Sequence, residues 1–392
     1  MRVNNKIYII FGLVALLMMG FVGIVTAEEG ESITPDEKLL ALINEARRHP
    51  LVVAASMGMN PDKLLKDLPE LEDTLKNGLE PLTLNENLSE AAFAHTWDMF
   101  ARGYYAKISP DGKDWAERIN DAGYPAVLTG ESLGMILFAN FINPEDATRL
   151  IFEYMFKDEL DPSRAEKRNI LDPCLREAGI SVQTGTLALR NGRWNVYLAT
   201  CDFGSLMSCA EGELMNLINR TRKNPLDMAE FFGLDPEQVL VDFPEKEDVL
   251  NQGLPPLALD TKLAEAARGH AADMLENAYY AHDSLDGRTY TDRIREAGYD
   301  WTVLGERIEL RPLCNVDDEQ EAIRLLFKYM LKSELTTGTS PEEWKILNAG
   351  FTEVGIGVVT GCAPALGGIC GDQVGMAVVD FGTSQEGEDP AD

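Results

Sequence analysis

Residues 278–287, A-Y-Y-A-H-D-S-L-D-G, restate residues 103–112, G-Y-Y-A-K-I-S-P-D-G, at an offset of 175. The same offset relates Leu42-Ile43-Asn44 to Leu217-Ile218-Asn219, Gly78-Leu79 to Gly253-Leu254, Gly123-Tyr124 to Gly298-Tyr299, and Gly130-Glu131 to Gly305-Glu306. It slips to 176 at Ile170-Leu171 and Ile346-Leu347, and to 178 at Phe203-Gly204 and Phe381-Gly382, so insertions fall late in the repeat. A period this long lies far above the roughly 20–50 residues of solenoid repeats, which predicts two complete domains, at 34–204 and 211–382, joined by a short segment.

With 392 residues, 45% of them hydrophobic, the chain has enough apolar material for two cores. Lys plus Arg total 35 against 65 Asp plus Glu, and the net charge of −30 repels nucleic acid and anionic membrane surfaces. Arg2 and Lys6, the apolar run Ile7–Val25 and Val25-Thr26-Ala27 ahead of Glu28-Glu29 have the order of a secretory signal, so residues 1–27 are read as one. The run is also long enough to span a bilayer, which leaves an uncleaved anchor as the alternative and the only expected membrane contact. Either reading places the rest of the chain outside the cytoplasm, secreted, periplasmic or on the cell surface. Residues 383–392 form a short acidic tail.

Six cysteines, an even number, suit a disulfide-permissive compartment. No Cys-x-x-Cys spacing supports a zinc ribbon or a redox motif. Cys362 and Cys370 bracket a turn-rich link, so a bond between them is expected; Cys174, Cys201, Cys209 and Cys314 leave three pairings open, and buried thiols are the alternative.

Thr34-Pro35-Asp36-Glu37 has the form of a capping box opening an amphipathic helix. Residues 56–76 read as a second helical stretch interrupted at Asn60-Pro61 and Pro69. Leu88, Ala92, His95 and Met99 recur at helical spacing, as do Leu263, Ala267, His270 and Met274, which puts His95 and His270 on apolar helix faces as core residues. Further helices are predicted over 149–157 and 324–332. Strands follow over 179–184 and 194–200, with an Asn191-Gly192 hairpin signal, and over 355–360 and 374–380. Helices first and an antiparallel sheet last make the class α+β.

Leu-Ile-Asn near each start, Pro81-Leu82 and Pro256-Leu257 ahead of a helix, His282-Asp283-Ser284-Leu285-Asp286-Gly287, Gly305-Glu306, Asn169-Ile170-Leu171 and Phe351-Thr352-Glu353-Val354-Gly355-Ile356-Gly357-Val358, taken in order, resemble the CAP superfamily of cysteine-rich secretory, antigen 5 and pathogenesis-related proteins, in its bacterial exported, SCP-like branch. The resemblance covers both copies and implies a tandem duplication of an αβα sandwich with a groove on one face. It implies groove residues at His282 and Glu306 in the second copy and at Lys107 and Glu131 in the first. A second family histidine falls on Glu342 and Glu166, or one residue later on Glu343. Both copies therefore depart from the metal-ligand pattern. No cofactor is expected beyond weak divalent-metal binding through His282 and Glu306.

Each candidate also has a plain structural reading. Glu131 and Glu306 follow glycine at an apparent loop end, where a carboxylate holds backbone amides; Glu166 and Glu342 lie in charged runs; Lys107 pairs with an acid. No Gly-x-Ser-x-Gly elbow supports a serine hydrolase. Three functions stay open: a non-catalytic extracytoplasmic module binding a small apolar, peptide or envelope ligand, a metal-dependent hydrolase acting through the second copy, and a structural or adhesive surface protein.

Overall fold

The computed structural model describes residues 33–163, 168–189, 192–313, 316, 318–336, 343–367 and 373–385. Glu166, Glu342, Cys314, Cys370, Asn191 and residues 1–27 lie outside them, as does the tail from residue 386. No described helix is long and apolar enough to cross a membrane. The chain divides into two compact units, Met1–Leu206 and Met207–Asp392.

In the first unit Thr34 caps the Pro35–Arg48 helix through the expected capping box. Leu39 and Ile43 of that helix bury against Ile151, Phe152 and Phe156 of the Pro144–Glu159 helix and against Ile180, Tyr197, Ala199, Cys201 and Phe203 of the sheet. The sheet has the order β1 (Thr83–Leu84), β3 (Glu177–Leu189), β4 (Gly192–Ser205), β2 (Leu128–Phe138); β1 runs parallel to β3 and the other pairs are antiparallel. Side chains alternate along β4, so Val196 and Leu198 face the other way and pack with Met99 of the Glu86–Arg102 helix. Helices thus cover both faces of one sheet, an αβα layering.

The second unit repeats this order as β5 (Ala258–Leu259), β7 (Glu353–Cys362), β8 (Gln373–Ser384), β6 (Trp301–Pro312). The Cys209–Lys223 and Glu319–Glu334 helices lie on one face and the Thr261–Glu276 helix on the other.

The recurring motifs now have causes. Asn44 and Asn219 clamp the backbone of Leu82 and Leu257, donating to each carbonyl and accepting from each N–H. Arg47, fully buried, donates to the carbonyls of Glu80, Ile170, Asp172 and Leu175, and Arg222 does the same to Pro255, Ile346, Asn348 and Phe351. These bonds satisfy otherwise orphaned backbone acceptors and fix the Ile-Leu segments. Gly179 and Gly355 are obligatory because a Cβ there would lie 1.9 and 2.0 Å from the main-chain carbon of Leu88 and Leu263.

The cysteines correct an expectation. Cys362 is a free, exposed thiol, and Cys370, its expected partner, lies outside the described residues. Cys201 is free and buried, and Cys174 and Cys209 are the disulfide-bonded pair.

Candidate functional site

Glu131 and Glu306 are not at loop ends. They sit inside β2 and β6, each directly across from an aspartate, Asp202 on β4 and Asp380 on β8. All four carboxyls are buried. A buried charge needs a partner, and the arginine one helix away supplies it. Arg118 of the Trp115–Asp121 helix donates to Glu131 Oε2, and Arg293 of the Tyr290–Glu296 helix to Glu306 Oε2 at 2.5 Å. Each arginine is anchored in turn: Arg118 to Ser109 Oγ and the Lys113 carbonyl, Arg293 to Ser284 Oγ and the Arg288 carbonyl.

The two units differ at the other side of the glutamate. His282 Nδ1 lies 2.7 Å from Glu306 Oε1, its ring half-exposed. Lys107 occupies the equivalent place, but its Nζ donates to the Glu131 main-chain carbonyl and stacks 5.6 Å from the centre of the Trp115 ring. Asn169 Nδ2 donates to the same carbonyl at 2.9 Å. The structure thus brings His282 to Glu306 and Lys107 to Glu131. Of the remaining candidates, only Glu343 is described, and it is exposed; Glu166 and Glu342 lie outside the described residues.

Glu131 Oε1 and both carboxyl oxygens of Asp202 are buried without a hydrogen-bond partner, as are both of Asp380. Burial, and then the neighbouring glutamate, push Asp202 and Asp380 well above the ordinary carboxyl range. Burial likewise raises Glu131 to about 7, against the opposing pull of Arg118. Two adjacent buried carboxyls beside one guanidinium favour keeping a proton on the aspartate.

His95 and His270 are buried core residues whose Nε2 faces the carbonyls of Ala106 and Ala281 at 3.1 and 2.9 Å. Burial, then Arg118, lowers His95 to about 4; burial, then Arg293, lowers His270. Both stay neutral at physiological pH.

The resemblance implies a metal, so the donor set needs testing. In the second unit an imidazole engages Oε1 of Glu306 and a guanidinium engages Oε2; in the first, Lys107 and Arg118 bring two fixed positive charges to Glu131. Among the described residues no three His, Cys, Asp or Glu side chains are placed to hold a metal ion. As arranged, these residues do not fit one.

Sequence reasoning missed Arg118, Arg293, Asp202 and Asp380. The signal was there: each recurs between the copies, and the aspartates interrupt apolar runs, where a charge must be matched by a partner.

The profile of the cysteine-rich secretory protein family, CAP, matches residues 40–203 and 215–366. Comparison with curated protein sequences finds no match. Among solved structures, similar chains include an extracellular protein containing an SCP domain from Bacillus anthracis str. Ames, 16% identical with a TM-score of 0.26 over 52% of this chain and 60% of that one. An outer surface protein from Borrelia burgdorferi is 17% identical with a TM-score of 0.24, over 41% of this chain and 93% of that one.

Proposed function

Because this chain belongs to the cysteine-rich secretory protein (CAP) family through both of its halves, we propose that it is an extracytoplasmic binding protein without catalytic activity, holding a small apolar, peptide or envelope ligand on the face around His282 and Glu306. One observation carries this reading: in the second unit both oxygens of the central glutamate are engaged, by Arg293 and His282, and in the first Arg118 holds one carboxylate oxygen of Glu131 while Lys107 takes its main-chain carbonyl. A carboxylate engaged on both oxygens, as Glu306 is, suits a wall better than a metal ligand or a general base. Lys107 and His282 then serve as two ways of placing a cation at one position. The family membership, the Cys174–Cys209 disulfide and the signal-like first 27 residues support a site of action outside the cytoplasm.

Calorimetric titration with zinc, manganese and calcium tests the reading on the wild type and His282→Ala. Weak binding, unchanged by the substitution, is expected. Tight zinc binding abolished by it would move a metal-dependent hydrolase to first place. Native mass spectrometry of protein taken from its own compartment should then find a retained small molecule or peptide.

A further inference from the structure

A second feature of the second unit adjoins the face around His282 and shares Ser284 and Arg293 with it. A cleft of ≈ 250 Å³ is lined by the Thr261–Glu276 and Tyr290–Glu296 helices and by Ser284 and Arg288 in the preceding loop. Its cations are already matched: Arg293 by Glu306 at 2.5 Å, and Arg288 by Asp286 at 2.7 Å and Glu296 at 3.0 Å. Its acceptors are not. Glu265, exposed on the rim, has no partner among the described residues. Asp273 receives the Tyr279 hydroxyl and, at 2.8 Å, the Asn277 amide, but no cation among the described residues. His270, with no exposed surface, forms part of the wall; a carbonyl only accepts, so the Ala281 oxygen fixes the ring hydrogen on Nε2 and leaves Nδ1 as a lone pair with no partner. Burial keeps this imidazole neutral.

The first unit supplies a control. Glu90, His95, Asp98 and Arg118 stand where the second has Glu265, His270, Asp273 and Arg293. Gly269, Arg288 and Glu296 of the lining stand where the first unit has Ala94, Lys113 and Asp121, and the change that alters charge is at a neighbouring position: Arg102 stands where the second unit has Asn277, and it ion-pairs with Asp98, its Nε donating at 2.7 Å. There His95 Nδ1 also meets the Tyr104 hydroxyl, at 3.4 Å.

We propose that the cleft of the second unit binds a primary ammonium group, carried by a small amine or a lysine side chain, at the position that Arg102 satisfies internally in the first unit. An ammonium brings three donors and one charge to a site rich in acceptors and short of cations. The −30 net charge draws cations to the whole surface, so the test must be differential.

The intact protein is titrated by calorimetry at physiological salt with n-butylammonium, with Nα-acetyl-lysine amide and with neutral n-butanol. One equivalent of each ammonium is expected to bind, and butanol is not. Asn277→Arg, at an exposed helix end, imports the first unit's arginine and should weaken ammonium binding about tenfold or more. Arg102→Asn should open a second equivalent site. Tighter binding of the capped lysine assigns the site to a peptide, and tighter binding of butylammonium to a free amine; either supports it. Equal ammonium affinity in the wild type and Asn277→Arg, with both folded by circular dichroism, would overturn the proposal, as would butanol binding as tightly as butylammonium.

Discussion

Asp202 and Asp380 are acids whose burial favours the neutral form, and burial also makes Glu131, beside the first of them, sensitive to pH. Glu131 is raised from its ordinary value to about 7, chiefly by burial. A raised acid binds its proton more tightly in the folded than in the unfolded chain, so its stabilisation is complete below about pH 4.5 and is lost as pH climbs through about 7. Glu159, raised by burial to about 8 although it accepts the amides of Ile170 and Leu171, acts in the same direction. Denaturant unfolding should therefore show greater stability at pH 5 than at pH 8. The Glu131 share is of order 3 kcal/mol from its shift, and Glu131→Gln should flatten the slope between pH 5 and 7. The same slope in both proteins would show that Glu131 is charged throughout. The pairing of position 107 or 282 with position 131 or 306 was implied by the family resemblance, carried over to both copies through the repeat. The aspartates and arginines could not, because which residues face each other across a sheet depends on register, and a one-residue slip would turn Asp202 to the opposite face.

At the scale of elements, the helical half was the more legible. Capping residues, prolines and apolar spacing act locally, so the Pro35–Arg48 start and the breaks at Pro61 and Pro69 follow from sequence alone. The Leu128–Phe138 strand was missed because Gly130 and Gly134 look like turn signals. They are there for closeness instead: a Cβ at Gly130 would lie 2.2 Å from the Asn169 side-chain oxygen, and one at Gly134 2.4 Å from Ile151. The same reasoning ranks substitutions. Gly179→Ala forces a carbon against the Leu88 main chain and should destabilise by ~3 kcal/mol or more. Gly58→Ala, at φ 81° with nothing within 4 Å, meets only backbone strain of about 1 kcal/mol. Equal losses in thermal unfolding would mean that the helix lifts off the strand easily.

At the scale of the whole chain, the even cysteine count pointed to pairing, with buried thiols as the alternative, and the described residues hold two free thiols in opposite settings. Cys201 is packed in the first core, where burial raises its thiol far above the ordinary range, whereas Cys362 is exposed. Alkylation of the native protein should mark Cys362 and spare Cys201 until the chain unfolds. A non-reducing peptide map should join Cys174 to Cys209. Rapid labelling of Cys201 in native buffer would contradict the packing of that core.

Synthesis runs in one direction, and this gives the buried Arg47 a role in time. Its helix is made ahead of the rest of the first unit, yet the carbonyls it serves belong to residues 80, 170, 172 and 175, and Asp36 of the same helix waits for the Val182 amide. Until those residues emerge, the guanidinium has only water as a partner and the helix has no sheet to cover. The first unit is therefore late to close even though its beginning is early to appear, and a growing chain stays loose until nearly all of that unit has been made.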